Sequence, residues 1–393
     1  MPVLVATGVS SGLGLAALSR FARLVLALDP PGERWRILAA SRSAHLSVEQ
    51  ERVNTLFHQH SDRLELEWLP LDLPSSTSVH AFAAQVRLRA SAVDSLLLNA
   101  AVWTADPTYI HAGSAEWTLE AVVNALAQHL LATLLIPLLA PPAAPGHRSR
   151  IIVTTSKLHA SVSSVDGFVA LLHPPSASSL AAATANTGKS RYAASKALQL
   201  VSAAYLASAL GPRGVQVVAV SPGFVPTTGL SRAQGALARW AMRNIVAWLP
   251  FAVTAEEGAA RIARCLPLRP LSSVPPPADA LDALFSDASF VPLVYLTLAS
   301  TAPLPLPESP PRMGGVAQLL VDETGAAGAR DEGGSAEDER DGDNEGKGWE
   351  VVGRKVLSSQ DEWAGIRVWT WSNPHEGASE GADGADPALA EVD

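Results

Sequence analysis

A chain of 393 residues with a single cysteine, Cys265, cannot form an intrachain disulfide. Scarcity of cysteine is typical of proteins that fold in a reducing compartment, so we expect a cytoplasmic protein. Basic residues are also scarce, because lysine and arginine total 29 against 38 aspartates and glutamates, for a net charge of −9. Without a basic excess, the composition argues against nucleic-acid binding.

The sequence also lacks a long apolar run that is free of polar residues. Its longest apolar stretch, residues 119–140, contains four polar side chains: Glu120, Asn124, Gln128 and His129. These groups favour a buried helix of a soluble domain over a membrane span, although a peripheral membrane contact stays open. The apolar run at residues 2–7 follows no basic segment and ends in a glycine-rich turn, so we do not expect a secretory signal.

The acidic charge is concentrated near the C-terminus. Residues 322–347 hold ten acidic and three basic residues, which is −7 of the total, and we predict a disordered linker there. The preceding 266–321 form a proline-rich extension, in which the apolar stretch 290–300 predicts an added strand or short helix. Residues 348–372 contain four tryptophans, so we expect this segment to dock on the main domain, and 373–393 to be a disordered tail.

The first 265 residues alternate short apolar runs with longer helical patterns. This order is typical of an α/β domain with a doubly wound parallel sheet and helices on both faces, which places a ligand at the carboxyl ends of the strands. The predicted strands are 3–6, 36–40, 64–70, 95–98, 150–154 and 215–221, and the predicted helices are 13–28, 47–60, 77–90, 117–139 and 191–210.

Two segments interrupt the alternation. Residues 161–189 are rich in serine, alanine and threonine, and we interpret them as an inserted loop that covers the site. Residues 230–251 are apolar and predict a mobile helical lid over a hydrophobic substrate, with a plain core helix as the alternative.

A glycine-rich turn directly follows the first strand and opens the first helix. Glycines let the backbone approach a ligand closely, and a helix N-terminus offers free N–H groups and a positive dipole end, which suit a pyrophosphate. The alternative is an ordinary strand-to-helix turn. The candidate residues are Gly8, Ser10, Ser11, Gly12, Leu13 and Gly14.

Residues after the second and third strands predict which dinucleotide binds. An acidic residue after the second strand would bind a ribose 2′-hydroxyl, but Ser41 and Arg42 stand there, and arginine suits a phosphate. We therefore predict NADP(H) rather than NAD(H). Asp72 is a candidate partner of the adenine amino group with Leu73 packed nearby, or alternatively a helix N-cap.

Two further strand ends are expected to line the same groove. After the fourth strand, Asn99 can join neighbouring strands, and the small Ala100 leaves room for a cofactor close to the backbone. After the sixth strand, four residues form a sharp turn and candidate contacts to a nicotinamide carboxamide: Pro222, Gly223, Val225 and Thr227.

Tyr192 and Lys196 lie four residues apart, on one face of a predicted helix. We expect the lysine charge to lower the pKa of the tyrosine, so that its hydroxyl exchanges protons with a carbonyl or alcohol oxygen. Ser156, at the end of the fifth strand, is a candidate donor to the substrate oxygen. Asn124 is a candidate to hold a water beside Lys196, or alternatively a satisfied polar group of the core.

These motifs stand in one order, and TGVSSGLG, LNAA, TTS, YAASK and SPGFVPT together resemble the short-chain dehydrogenase/reductase family over residues 1–265. The resemblance implies a seven-stranded Rossmann sheet and a catalytic tetrad of Asn124, Ser156, Tyr192 and Lys196, with Tyr192 as the general acid or base. Within the family, the motifs look most like the branch of protochlorophyllide reductases and retinol dehydrogenases. The long gap between Ser156 and Tyr192 also suits fungal sterol 3-ketoreductases. The segment after Lys196 lacks the cysteine of protochlorophyllide reductases, which argues against that pigment as the substrate.

We therefore expect an NADPH-dependent oxidoreductase that interconverts a carbonyl and an alcohol on a bulky hydrophobic substrate. The retinoid, sterol and polyketide classes all stay open, as does a homodimer. The alternatives are a catalytically silent nucleotide-binding scaffold or sensor, and a protein that binds a membrane surface through its apolar lid.

Overall fold

The computed structural model describes residues 1–28, 34–112, 115–139, 149–162, 165–174, 186–226, 253–266, 293–296, 320–321 and 327–328. Four predicted segments lie outside this part of the chain: the lid at 230–251, most of the acidic linker, the tryptophan-rich segment and the C-terminal tail. Within the linker, β11 (Ala327–Gly328) is described, and it pairs antiparallel with β10 (Leu320–Val321).

A seven-stranded parallel sheet forms the centre of the domain and confirms the predicted fold class. Its strands lie in the order β3-β2-β1-β4-β7-β8-β9. The chain therefore builds outward from β1 in one direction and then from β4 in the other, which is the doubly wound arrangement. The strands are β1 (Val3–Thr7), β2 (Trp35–Ser41), β3 (Leu64–Pro70), β4 (Ser95–Leu98), β7 (Arg150–Thr154), β8 (Gln216–Val220) and β9 (Leu293–Leu296).

Seven helices accompany the sheet in the described residues. They are α1 (Gly12–Leu28), α2 (Val48–Gln59), α3 (Ser76–Arg89), α4 (Leu119–Leu138), α5 (Val165–Leu172), α6 (Gly188–Leu210) and α7 (Ala255–Arg264). Short 3₁₀ turns follow β7 (Lys157–Ser161) and α6 (Gly211–Arg213). Several helix starts are fixed by hydroxyl caps, since Ser47, Thr187 and Thr254 each complete a capping box.

Successive residues of the strands enter two separate hydrophobic cores. Val3 and Val5 of β1 belong to the core under α3, α4 and α6, whereas Leu4 and Ala6 belong to the core under α1, α2 and α7. Side chains of a strand alternate between its faces, so a strand that is apolar at every position must be covered on both. This is why the continuous apolar runs in the sequence became central strands.

The helix predicted for residues 117–139 begins two residues later than expected. Trp117 and Thr118 instead end β6 (Ala115–Thr118), which pairs antiparallel with β5 (Tyr109–Ala112). Thr118 caps α4, because its hydroxyl accepts a hydrogen bond from the Ala121 N–H. The hairpin was not predicted, since Trp117 suits an apolar helix face as well as a strand.

Helix α4 is long and apolar enough to cross a membrane by length and composition alone. Most of it is buried within the fold, as the interrupting polar residues predicted. Its turn at Val122–Leu126 is a π-helix. Such a turn shifts the following residues around the helix axis and often marks a functional position.

The segment predicted as an inserted loop, 161–189, contains a helix. Helix α5 buries Phe168 and Leu172 almost completely in the core under α6. Its short apolar run was obscured in the sequence by the flanking small residues, and residues 175–185 lie outside the described chain. The apolar stretch at 290–300, predicted as a strand or a short helix, supplies β9 at the edge of the sheet, parallel to β8.

The turn between β1 and α1 packs directly against the end of β4. Gly8 has a φ of 65°, and a Cβ built on it would lie 2.4 Å from Ala100 Cα. A Cβ built on Gly14 would lie 2.1 Å from the Gly8 carbonyl oxygen and 2.4 Å from Asn99 Nδ2. These are rigid neighbours, so both positions require glycine.

We predict that Gly14→Ala lowers the free energy of unfolding by roughly 2–3 kcal/mol, because the methyl group has no space. Gly258→Ala is the matched control: this glycine is also helical, but its Cβ would meet the ends of Leu13 and Val225 at 3.0 and 3.1 Å. These flexible side chains can shift, and alanine favours the helix, so its effect stays within about 1 kcal/mol. Urea denaturation of both variants measures the difference, and equal losses would contradict the prediction.

Candidate active site

Thr7, the last residue of β1, organises the end of β4. Its hydroxyl oxygen accepts hydrogen bonds from the backbone N–H groups of Asn99 at 3.1 Å and Ala100 at 3.3 Å. The Asn99 side chain donates to the Gly8 carbonyl oxygen at 2.9 Å. The structure therefore brings Asn99 and Ala100 together with the glycine turn. As predicted, Asn99 joins the neighbouring strands β1 and β4.

The remaining residues of the glycine turn lie where α1 begins. Gly12 is exposed and has a φ of 56°, while Ser10, Ser11 and Leu13 are partly exposed. The turn thus presents backbone and hydroxyl groups rather than bulky side chains at a helix N-terminus, which is the environment expected for a pyrophosphate.

The residues predicted to select the dinucleotide lie at the ends of β2 and β3. Arg42 is exposed, whereas Ser41 is buried and its hydroxyl donates to the Ser43 carbonyl oxygen at 3.0 Å. Asp72 is exposed and Leu73 is buried in the core. The alternative role of Asp72 as a helix cap is wrong, because Ser75 caps α3 by accepting a hydrogen bond from the Ser78 N–H.

The turn after β8 is fixed by α7. The Pro222 carbonyl oxygen accepts a hydrogen bond from the Arg261 guanidinium at 2.6 Å, and Gly223 has a φ of 91°. Val225 is buried and, like Leu13 of the glycine turn, packs next to Gly258 of α7. Val225 and the Pro222 carbonyl oxygen therefore lie near Leu13 of the glycine turn, across Gly258, whereas Gly223 lies against Val253 and Arg261. The fourth predicted residue, Thr227, is outside the described residues.

Tyr192, Ser156 and Lys196 meet where α6 passes the end of β7. Tyr192 is 6% exposed, and its side chain is hydrogen-bonded to Ser156. The Lys196 ammonium is fully enclosed and lies 5.7 Å from the centroid of the Tyr192 ring. It donates to the Thr154 carbonyl oxygen at 2.7 Å and to Gln199 Oε1 at 2.8 Å.

The structure does not show the expected lowering of the Tyr192 pKa by Lys196. Burial raises the pKa of the Tyr192 phenol well above its ordinary value, and the hydrogen bond with Ser156 only partly opposes this. Burial also lowers the pKa of Lys196 from 10.5 to about 7. Both shifts have one cause, because removal from water disfavours the charged form of each group. Tyr192 is therefore a neutral proton donor over a wide pH range.

Asn124 lies in the π-helical turn of α4 and is completely buried. Its Oδ1 accepts from the Val102 N–H at 2.8 Å, and its Nδ2 donates to the Val102 carbonyl oxygen at 3.0 Å and to Ser195 Oγ at 2.8 Å. The side chain therefore joins the segment after β4 to α4 and α6. It does not contact Lys196, and its predicted membership of a proton path stays a prediction.

Three residues near Tyr192 were missed by the sequence interpretation. The Trp103 ring stacks on the Tyr192 ring at a centroid distance of 5.3 Å and an interplanar angle of 24°. Arg191 and Glu120 are completely buried, and their side chains approach to 3.5 Å. A polar residue in an apolar helical pattern was the available signal for Glu120. Arg191 was read only as the first residue of a helix.

The buried arginine is held almost entirely by neutral oxygens. It donates to Asn186 O and Oδ1, both at 3.0 Å, to Thr104 O at 3.1 Å and to Ala105 O at 3.0 Å. Glu120 in turn accepts from the N–H and the hydroxyl of Thr104. The start of α6 is thereby fixed to the segment that carries Trp103.

A family model described as enoyl-(acyl carrier protein) reductase matches residues 176–265. The chain is 31% identical over 236 residues to a short-chain dehydrogenase/reductase of Pestalotiopsis microspora, covering 58% of this chain and 72% of that protein. It is 32% identical over 266 residues to the polyprenol dehydrogenase of Mus musculus, covering 65% and 69%.

Solved structures of the same general fold include an NADPH-bound carbonyl reductase from chicken fatty liver, with 21% identity and a TM-score of 0.43. That comparison covers 66% of this chain and 89% of the other. A short-chain dehydrogenase from Burkholderia cenocepacia in complex with NADP gives 23% identity and a TM-score of 0.44, covering 68% and 91%.

The sheet topology defines a protein of the Rossmann type. The curated relatives, matched over more than two thirds of their length, show which one: the chain belongs to the short-chain dehydrogenase/reductase family. The predicted family is thus confirmed, while the predicted branch within it stays a prediction.

We predict a pH-dependent stability difference between the wild type and Lys196→Met. Because the pKa of Lys196 is about 7 in the folded chain and 10.5 in its ordinary state, the unfolded chain binds more protons between these values. The wild type therefore gains stability as the pH rises through this window, by at most about 1.4 kcal/mol per pH unit, and loses it as the pH falls to about 7. Lys196→Met lacks this gain.

Urea denaturation at several pH values from about 6 to about 10 measures this difference. The exposed Lys157 provides the control, since Lys157→Met should follow the pH dependence of the wild type. A difference between the wild type and Lys196→Met that does not change with pH would contradict the assignment of Lys196 as the buried titrating group.

Proposed function

We propose that the protein is an NADPH-dependent oxidoreductase that interconverts a carbonyl and an alcohol on a bulky hydrophobic substrate, with Tyr192 as the general acid or base. The observation that supports it most is the buried Tyr192 hydroxyl, hydrogen-bonded to Ser156 and stacked under Trp103. The segment from Asn99 to Ala105 connects this group to the glycine turn, because it contacts Gly8 at one end and Arg191 at the other.

The residues present suit a dinucleotide. The glycine turn has no side chain that would fill the space between β1 and β4, since a Cβ at Gly8 or Gly14 would collide with backbone. Its exposed start of α1 would hold the pyrophosphate, Arg42 would bind a 2′-phosphate, and Pro222 and Gly223 would border the nicotinamide. When bound, a nicotinamide supplies a hydride for the carbonyl carbon.

The chain's own residues supply the proton. Tyr192 stays neutral because of its burial and can donate its hydroxyl proton to a carbonyl oxygen that becomes an alkoxide. Ser156 holds the Tyr192 oxygen and would stabilise charge on the substrate oxygen. Lys196 lies on the same face of α6, 5.7 Å from the centroid of the Tyr192 ring, and its pKa of about 7 suits it to return a proton to Tyr192 near neutral pH.

An apolar substrate is supported by the surroundings of Tyr192. Trp103 covers one face of the ring, and Val102, which precedes Trp103, and Ile110 are partly buried apolar residues packed against the core. The relative from Mus musculus is a polyprenol dehydrogenase, so a long isoprenoid alcohol or aldehyde is one member of the class to test. Retinoids, sterols and polyketides are the other members, and we propose that this chemistry takes place in the cytoplasm.

A nucleotide-binding scaffold without turnover is the second candidate. All four residues of the implied tetrad are present, and three of them meet at one point, which favours an enzyme. NADPH binding without oxidation across a broad panel of apolar ketones, aldehydes and quinones would favour the scaffold.

We predict that Tyr192→Phe lowers kcat for carbonyl reduction by about 10²- to 10⁴-fold, the usual contribution of a general acid, and leaves NADPH binding almost unchanged. Tyr205→Phe removes a hydroxyl from the same helix, farther along α6, and serves as the control with near wild-type turnover. NADPH consumption with farnesal, apolar ketones and quinones measures both. Unchanged turnover in Tyr192→Phe would refute the role of Tyr192.

We predict that Arg42→Ala weakens NADPH binding at least about tenfold and changes NADH binding little, because only NADPH carries the 2′-phosphate. Arg20, an exposed arginine of α1, is the control, and Arg20→Ala should alter neither affinity. Titration of both nucleotides into each variant measures the affinities. Equal losses for NADPH and NADH would remove the basis for the NADPH preference.

A further inference from the structure

The Lys196 ammonium has an acceptor that the family motif does not contain. Of its three N–H groups, one reaches the Thr154 carbonyl oxygen at 2.7 Å and another reaches Gln199 Oε1 at 2.8 Å. The first contact comes from the backbone of β7 and would form with any residue at position 154. The second contact depends on the identity of a side chain, and it lies one turn after Lys196 on the same face of α6.

Gln199 is an unusual residue for its surroundings. It is 3% exposed, and its neighbours Leu198 and Leu200 belong to the hydrophobic core. Its Nε2 is buried and makes no hydrogen bond to the described residues. A buried amide with an unpaired donor costs free energy that an aliphatic side chain would not. Among the described residues, the polar contact of this side chain that offsets the cost is the hydrogen bond to Lys196.

We infer that Gln199 is a positioning residue of the active site, whose amide oxygen anchors the Lys196 ammonium beside Tyr192. The inference rests on the proposed role of Lys196 as the group that returns a proton to Tyr192. In this arrangement Thr154 O and Gln199 Oε1 each accept one N–H of the ammonium. The third N–H is then the one that returns a proton to Tyr192. Gln199 acts through Lys196 and has no contact of its own with Tyr192 among the described interactions.

Other ionisable groups around α6 are engaged elsewhere. Glu120 pairs with Arg191, His129 bonds to Ser202, and His159 bonds to the Ser156 carbonyl oxygen. Burial lowers the pKa of Lys196, and no charged neighbour is among the causes of this shift. The other ionisable residues on α6 and on the described elements packed against it are Glu120, His129, Arg150, Lys157, His159, Asp166, Lys189, Arg191, Tyr192, Tyr205, Arg213 and Tyr295.

Two substitutions at Gln199 should move Lys196 in opposite directions. Gln199→Met keeps the length of the side chain but removes the acceptor, so the charged lysine is less stabilised and its pKa falls. Gln199→Glu keeps the acceptor and adds a negative charge, so the pKa rises. Since Lys196 must be protonated to supply a proton, kcat for carbonyl reduction should fall as the pH rises through the pKa of Lys196.

The first readout is the pH profile of kcat for reduction of farnesal, or of the apolar ketone or quinone that the wild type turns over. Relative to the wild type, the alkaline limb should shift by about one pH unit toward acid in Gln199→Met and by about one unit or more toward base in Gln199→Glu. At pH 7.5, Gln199→Met should lose roughly tenfold in kcat, with KM for the carbonyl substrate changed less than about twofold.

The second readout needs neither cofactor nor substrate. The rise of stability between about pH 7 and about pH 10, which Lys196→Met is expected to lose, should begin at lower pH in Gln199→Met and flatten in Gln199→Glu. Ser202→Ala is the control: Ser202 is buried on the same helix and bonds to His129, so its loss removes a polar contact without touching Lys196. Its pH profiles should coincide with those of the wild type.

Profiles of both Gln199 variants that coincide with the wild type would overturn the inference. If Gln199→Met fails to fold, the shift in Gln199→Glu alone decides the outcome. Failure of the proposed function is distinguishable, because Lys196→Met and Tyr192→Phe would then leave turnover unchanged. If Lys196→Met and Tyr192→Phe lose turnover as expected but the alkaline limb of the kcat profile does not shift in the Gln199 variants, only the role of Gln199 is refuted.

Discussion

The geometry of the site depends on the buried guanidinium of Arg191 and the hydrogen bonds that it donates. It joins the start of α6 to the segment after β4 through hydrogen bonds to Thr104 O at 3.1 Å and Ala105 O at 3.0 Å, and it approaches Glu120 at 3.5 Å. Two more hydrogen bonds of 3.0 Å hold it to Asn186, directly before the helix. A charge removed from water must be matched by partners of good geometry, so the loop oxygens cannot move without exposing it. The arginine directly precedes Tyr192, and this constraint therefore sets where the phenol and the stacked Trp103 lie.

A second constraint comes from the close approach of two strand ends. The Gly8 backbone lies against Ala100, and Asn99 reaches back to the Gly8 carbonyl oxygen. The segment from 99 to 105 is thus held at one end by the glycine turn and at the other by Arg191. Because both ends are fixed, the distance between the glycine turn and Tyr192 is determined by the fold rather than by a flexible loop.

Much of this could be predicted from the sequence, for identifiable reasons. Strand runs such as 3–6 are apolar at every position and need cover on both faces, which predicts the parallel sheet. Glycines at 8 and 14 stand where no Cβ can be placed. The hairpin of β5 and β6 could not be predicted, since it contains few alternating apolar residues. Trp103 was also missed, because its contact with Tyr192 joins segments far apart in the chain. Gln199 was missed although Lys196 is only three residues away, because spacing alone does not show that its amide is buried against the ammonium.

The expected pKa of Tyr192 failed for a related reason. Four-residue spacing shows that the phenol and the ammonium share a helix face, but it says nothing about how much water surrounds them. In the fold both are removed from water, and burial disfavours the phenolate and the ammonium alike. The result is a neutral acid next to a lysine that exchanges protons near pH 7.

In this combination Tyr192 carries its proton at neutral pH, which is the form that the proposed reduction of a carbonyl uses. The reverse reaction, removal of a proton from an alcohol, uses the phenolate, the form that burial opposes. The acceptors that hold Lys196 determine how readily the acid is restored, because an ammonium in an apolar helix face is kept charged only by the oxygens that face it.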